Sequence, residues 1–485
     1  FFAYPRILEA REDDGTLLLH IHEGFLLNLK KSTILAKNLA ITSSRGTDLE
    51  TAVVNGEEME KNLYEDTHHQ SSVVVNIMEG QVEVRGMLNP ELRIGPVGAS
   101  RRSDGGGALH EVVKVRARTE RTYDTLLDAL YAMKKRDRPT KRESSSPTVL
   151  KMNNHTKLHC NDPDTSTGTP NEKTEERPGL FIVEVCLVTT IEFTCAFNTT
   201  KDLIVYLAIF LRAAALGFQD MTKPEVRLQL NEVFTNMSDR VIKKTEDGVD
   251  IHAALHNMRA LAEEGAFNRC DVAVLLSSED MYRTIGNTTI EKRVMGIAYL
   301  AGACREYKVA VGEDKPHTYE GVWTVAHEVA HLLGADHDNA SGEAANMTGY
   351  PGSQSCPWEH GYLMSSVGVG RNQQRLSNCS MDQIRFVYQS MPLSCIEVNQ
   401  QALYTTLSYP GQNMTRRQFC KTMHKGKLKA KPFKKNDTRH EYCQIKCCWK
   451  EDDLTWCQEH TMPEALICGP GKRCRRGVCE KYILK

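Results

Sequence analysis

Cysteine is absent from the first 142 residues of this 485-residue chain, which excludes a disulfide framework there. All sixteen cysteines lie beyond that point, eight of them in the last ninety residues. A long apolar run is missing too. The best stretch, Leu203 to Phe218, is interrupted by Arg212 and falls short of the roughly 20 residues a membrane helix needs. No charged leader with an apolar core precedes Phe1, so a signal peptide is expected to have been removed or omitted. Net charge is nearly absent at −1, but it is unevenly spread. Residues 396–485 carry eighteen Lys/Arg against nine Asp/Glu, a net of +9 that leaves about −10 on the remainder. The chain holds no Arg-Gly-Asp, which removes that route to integrin binding.

Apolar residues make up 40% of the chain, enough for real cores, and the length argues for about three domains. An even number of cysteines concentrated late argues for disulfides and an oxidising compartment. Asn-x-Ser/Thr sequons agree, among them Asn154, Asn198, Asn236, Asn287, Asn346, Asn378, Asn413 and Asn436. The expected location is extracellular, by secretion.

The segment His327-Glu-Val-Ala-His331-Leu-Leu-Gly334-Ala-Asp-His337-Asp338 organises the rest. Histidines four apart share one face of a helix, where two imidazoles can hold one metal ion. Val322, Ala326, Val329, Ala330 and Leu333 recur at helical spacing, so this helix is expected to be buried. Gly334 permits a sharp left-handed turn that would return His337 as a third nitrogen ligand. Three neutral ligands leave a fourth position for water, the pattern of a catalytic zinc site. Glu328 stands beside the first ligand, placed to accept a proton from that water. A bare His-Glu-x-x-His arises on ordinary helices. Adding Gly334, His337 and Asp338 brings the chance to the order of 10⁻⁸ per starting position.

This segment resembles the metzincin signature, and Asp338 after the third histidine resembles its adamalysin (reprolysin) branch. Gly361-Tyr-Leu-Met364 is similar to the methionine turn of that branch, with Met364 twenty-seven residues past His337. Tyr4-Pro-Arg-Ile-Leu-Glu-Ala, Gly296-Ile-Ala-Tyr-Leu-Ala-Gly-Ala-Cys304 and Cys356-Pro-Trp-Glu-His-Gly-Tyr-Leu-Met364 resemble salivary reprolysin-like metalloproteases of ticks. The resemblance implies one catalytic Zn²⁺ held by His327, His331 and His337, with Glu328 as general base. It makes Gly334, Asp338 and Met364 structural supports of the site. It also implies an edge strand over the cleft at Gly296, Ile297, Ala298 and Tyr299 that holds substrate. Pairings Cys304–Cys395 and Cys356–Cys379 come from the same likeness.

The fold class expected is an α/β (α+β) catalytic domain with a mixed sheet and a zinc-binding helix. A β-rich propeptide domain precedes it and a small disulfide-rich domain follows. Residues 1–142 read as a small β-rich domain, with short strands at Thr16–His22, Gly24–Leu29 and Ser72–Ile77, and the resemblance makes this domain the propeptide. His20 and His22 alternate with Ile21 and are expected on strand faces, with no third ligand near. The basic run from Lys134 ends in Lys141-Arg142, a dibasic cleavage site; Pro139 stands where the preferred arginine would be.

Residues 143–179 are polar and read as a linker and maturation region. Cys160 within it is either a switch that occupies the zinc or a disulfide partner, and the seven cysteines of 180–395 favour the latter by parity. Residues 180–395 read as the protease domain: a buried strand at Leu180–Val188, a helix over 201–218, strands at Val226–Leu230 and Asp271–Leu276, and a helix over 250–263. Residues 396–485 form a basic Cys-rich module in which four bridges allow 105 connectivities. Histidines at metal spacing are absent there, so a zinc site is disfavoured. Its loop Lys425 to Lys435 carries six lysines without matching acids, available to sulfated glycans or acidic surfaces or idle in solvent.

The function expected is a secreted zinc endopeptidase, made as a zymogen and acting on extracellular proteins. The resemblance points to host matrix or clotting proteins such as fibrinogen and gelatin. The alternative is a secreted anti-haemostatic binding protein that acts through the basic module. Neither a nucleic-acid partner nor a membrane span is expected.

Overall fold

The computed structural model describes residues 1–11, 15–46, 48–78, 80–97, 108–115, 177–285, 289–292, 294–342, 347–366, 372–398, 409–433, 441–451 and 454–481. The basic run 134–142, Cys160 and most of the 143–179 linker lie outside these residues, as do sequons Asn154, Asn287, Asn346 and Asn436.

The most apolar stretch forms a helix, Thr200–Ala215, extended by a short 3-10 turn at Leu216–Phe218. Thr199 caps its start by accepting from the Asp202 amide. It is apolar nearly all round because sheets cover it on two sides: strand Ser71–Met78 on one, strand Glu225–Thr235 on the other. Tyr206, Ile209 and Phe210 are all buried.

Seven strands make the larger catalytic sheet, in the order Gly296–Ala298, Val309–Glu313, Val272–Ser277, Leu180–Thr189, Glu225–Thr235, Leu35–Arg45, Asp48–Asn55. The inner pairs run parallel and the two outermost pairs antiparallel, so the sheet is mixed. Strand Leu180–Thr189 is buried along almost its whole length, as its unbroken apolar run requires. Val309–Glu313, which sequence pattern did not single out, separates the edge strand from Val272–Ser277.

The last two strands come from the N-terminal region. Leu35–Arg45 lies parallel to Glu225–Thr235, with Val233 opposite Ile41 and Phe234 opposite Thr42. The Thr42 hydroxyl also donates to Glu232 at 2.5 Å. A strand as buried as Glu225–Thr235 needs partners for its backbone on both sides, and this hairpin supplies one. The N-terminal residues are thus divided between two sheets. The others build a nine-stranded sheet of antiparallel pairs around Leu19, Ile21, Leu27, Leu29, Val73 and Val84.

Four disulfides hold the C-terminal residues: Cys420–Cys447, Cys443–Cys474, Cys448–Cys457 and Cys468–Cys479. Two small three-stranded sheets lie among them. The lysine-rich segment is not a plain loop. Leu428–Pro432 forms a strand against Gln444–Glu451, and Lys427 pairs with Glu451, so part of its charge is matched.

Candidate metal centre

Helix Val322–Leu333 carries the first two histidines, and all twelve of its residues are buried. Gly321 starts it where a Cβ would lie 2.1 Å from the Glu313 carbonyl. Gly334 ends it at φ 112°, a left-handed turn that L side chains rarely adopt. A Cβ on Gly334 would also meet Val387 Cγ2 at 2.4 Å.

That turn returns His337 to the helix. The rings of His327, His331 and His337 sit 4.6 to 5.0 Å apart, centroid to centroid. One ring nitrogen from each lies within 4.8 Å of the others. His327 donates from Nδ1 to the Leu363 carbonyl at 2.8 Å, and His331 from Nδ1 to the Ala335 carbonyl at 2.7 Å. Each donation leaves an Nε2 lone pair available for a metal and fixes the ring. His327 Nε2 is 3.0 Å from His337 Nε2.

His331 Nε2 is buried and meets no hydrogen-bonding partner among protein atoms. Burial also lowers the His331 pKa from the ordinary 6.5 to about 4, which keeps the ring neutral. A buried nitrogen without a partner is costly, and a metal ion shared with His327 and His337 satisfies it. The residues therefore fit a zinc ion.

Glu328 is buried beside this group, 1% exposed. The edge strand Gly296–Ala298 passes so close that a Cβ on Gly296 would stand 2.5 Å from Glu328 Oε1. The expected edge strand included Tyr299, and the structure ends it at Ala298. Beyond it, Ala301 donates its amide to the His331 carbonyl and Ala303 to the Leu332 carbonyl. Those amides serve the helix end, so they cannot continue the sheet. Tyr299 is buried, edge-on to Tyr307.

Asp338 ties three segments together. Its amide donates to the Met364 carbonyl, and its carboxylate accepts from Ser365 at 2.9 Å and Ser377 at 2.6 Å. Burial raises its pKa, opposed by those hydroxyls. Met364 is fully buried, next in sequence to the Leu363 carbonyl that orients His327.

Several supports had no signal in the sequence. Asp314, buried and pushed up to about 7 by that burial, accepts from the Gly321 amide at 2.9 Å and the Tyr206 hydroxyl at 2.6 Å. Arg93 of the nine-stranded sheet donates to the Thr318 and Tyr319 carbonyls just ahead of the histidine helix. The Tyr206–Asp314 contact and those of Arg93 join residues more than a hundred positions apart, beyond any local pattern.

In the C-terminal module His424 and His460, 36 residues apart, meet at 2.9 Å through Nε2 atoms. The sequence showed no metal spacing there, yet space brings them together near Cys447. That sulfur is engaged in its bridge to Cys420, which leaves two histidines. His20 and His22 lie on strand Thr16–His22 and belong to no metal-competent group among the described residues. The bridges Cys304–Cys395 and Cys356–Cys379 are present, with Cys186–Cys270 as a third. Cys195 is left over and exposed.

The histidine cluster, the adjoining glutamate and the α/β sheet are those of a metallopeptidase. Residues 181–377 match the profile described as Metallo-peptidase family M12, of reprolysin type, and belong to the adamalysin/reprolysin metzincins, metalloendopeptidases that use zinc. The chain is 23% identical to the venom metalloproteinase antarease of Tityus serrulatus over 355 residues, 71% of this chain and 81% of that protein. It is 22% identical over 391 residues to a disintegrin and metalloproteinase with thrombospondin motifs like protein of Bombyx mori. That match covers 73% of this chain and 56% of the moth protein. The snake venom metalloproteinase fibrolase of Macrovipera lebetinus is 30% identical over 107 residues, 21% of this chain and 46% of its own. No helix among the described residues is long and apolar enough to cross a membrane.

Proposed function

We propose that the protein is a secreted zinc endopeptidase made as a zymogen, in which His327, His331 and His337 hold the ion. The observation that carries this is the buried, partnerless His331 Nε2 facing the other two imidazoles, with Glu328 beside them. Zinc bound there would supply a Lewis acid for the scissile carbonyl and an acidified water. Glu328 takes the proton from the attacking water and passes it to the leaving amine nitrogen as the C–N bond breaks. Gly296, Ile297 and Ala298 offer an edge to an extended peptide, and Tyr299 anchors the chain just after it. Gly334, Asp338 and Met364 keep the ligands in place.

In this reading 1–142 is the propeptide, 143–179 the maturation region, 180–395 the protease domain and 396–485 the Cys-rich module. Secretion draws support from the seven disulfides and from relatives named as venom proteins. Extracellular proteins such as fibrinogen and gelatin are the substrates to try first. The likeness to tick salivary enzymes rests on the sequence stretches alone, and glycan binding by the module rests on its lysines. Cys195, outside every bridge described, favours a disulfide to Cys160 over a metal-bound Cys160.

Metal analysis of the purified full chain tests the site. One zinc per chain is expected, and none in His331→Ala that has kept its fold by circular dichroism. Full zinc content in that variant would refute the assignment.

A further inference from the structure

A cavity of about 180 Å³ lies where the three parts of the chain meet, away from the histidine cluster. Lys30, Ser32 and Glu65 reach it from the nine-stranded sheet side, Arg212 and Arg227 from the catalytic region, and Glu464, Arg475 and Arg476 from the C-terminal module. Its volume equals about six waters at roughly 30 Å³ each, room for one tetrahedral oxyanion with some hydration.

The charges around it do not balance. Asp220 faces three guanidinium groups: Arg375 at 2.9 Å, Arg475 at 3.7 Å, which Glu480 also meets at 3.4 Å, and Arg476 in direct contact. Glu65 faces both Lys30 at 3.1 Å and Arg212, with Ser32 donating at 2.7 Å. Glu225 is occupied by Arg227. Glu464, the remaining carboxyl of the wall, is pushed up to about 7 by burial, which removes part of its negative charge near neutrality.

Arg476 is the most confined of these cations, its side chain 9% exposed. Its Nε and Nη2 are buried without a hydrogen-bonding partner. Burial lowers its pKa to about 10, and Arg375 and Arg475 push the same way against Asp220. A buried guanidinium with unmet donors, crowded by two others on one carboxylate, is costly unless further negative charge is supplied. Water can accept hydrogen bonds but cannot offset the charge. The planar donors of arginine suit a sulfate or phosphate group.

We propose that this cavity binds a sulfate or phosphate group, free or as the terminal ester of a larger molecule, and so clamps the three parts of the chain together. The proposal does not rest on the proteolytic reading.

The test is isothermal titration calorimetry of the full chain with sodium sulfate and with sodium phosphate, ionic strength held constant with chloride. Parallel melting curves accompany it. One saturable site per chain is expected, with a melting temperature that rises and then levels off. Arg476→Gln should weaken binding by about tenfold or more, as loss of a charged hydrogen bond implies. Lys31→Gln, at an exposed position on the rim, should weaken it by about two- to fivefold and leave the fold intact. A sulfated disaccharide that binds tighter than inorganic sulfate identifies an ester as the source, and weaker or equal binding identifies the free ion. Sulfate also stabilises proteins non-specifically by exclusion from their surface. A response that never saturates and is the same in wild type and Lys31→Gln would overturn the proposal.

Discussion

Gly296 shows how closely single residues are fitted at this site. Its missing side chain leaves room for Glu328 Oε1 and Thr324 Cγ2, which a Cβ would approach to 2.5 and 2.7 Å. Gly296→Ala should displace Glu328 or the edge strand, and displacements of about 1 Å in a catalytic group cost on the order of 10²-fold. The expected result is a 10- to 100-fold fall in kcat/KM with zinc content unchanged (roughly, on that scale). Unaltered kcat/KM would show that the strand gives way without cost. The grouping of His327 and His331 beside Glu328 was legible in the sequence because helix geometry converts a four-residue spacing into one face. Gly296 was legible only as part of a resemblance, since its closeness to Glu328 arises from a strand and a helix that are distant in sequence.

Elements meet the same limit. Strands and helices of 180–277 were readable from periodicity, and the edge strand was carried one residue too far, to Tyr299, because the amides of Ala301 and Ala303 just beyond serve the helix end. The junction between the nine-stranded sheet and the C-terminal module was not readable at all. There His68 packs against Gly477, where a Cβ would come within 2.7 Å of the ring. Burial, then His69, lowers the His68 pKa to about 4, against the pull of Asp66.

His68, packed against Gly477 of the module, binds a proton less readily than a histidine at the ordinary 6.5. The junction therefore has its full stability above about pH 6.5 and loses it as pH falls toward 4, by about 1.4 kcal/mol per pH unit for His68. We predict that limited proteolysis releases the C-terminal module faster at pH 4.5 than at pH 7. His68→Gln should flatten that dependence, and an identical pH profile in this variant would count against the account.

On the scale of the whole molecule, the protease sheet is completed by residues far upstream of it. Leu35–Arg45 supplies parallel main-chain bonds to Glu225–Thr235, and Leu35 and Leu39 share the buried core of the catalytic region. Sequence composition suggested a separate N-terminal unit because strands carry no mark of which sheet they join. Cutting the chain between 116 and 176 should leave the N-terminal fragment bound to the remainder through gel filtration. The same digest, mapped without reductant, should contain a Cys160–Cys195 peptide. Separation of the fragments in native buffer would contradict the shared sheet, and free Cys160 would contradict the bridge.

The proposed function stands on three histidines and Glu328 forming a working zinc peptidase site. Its most direct test is digestion of fibrinogen and gelatin by protein freed of its N-terminal fragment. Four samples are compared: untreated, treated with a zinc chelator, chelated and resupplied with zinc, and Glu328→Gln. The account predicts cleavage in the first and third and loss in the second. Glu328→Gln should retain zinc while its rate falls by about 10²- to 10⁴-fold. Cleavage that persists in the chelated sample, or in Glu328→Gln at the untreated rate, would contradict it.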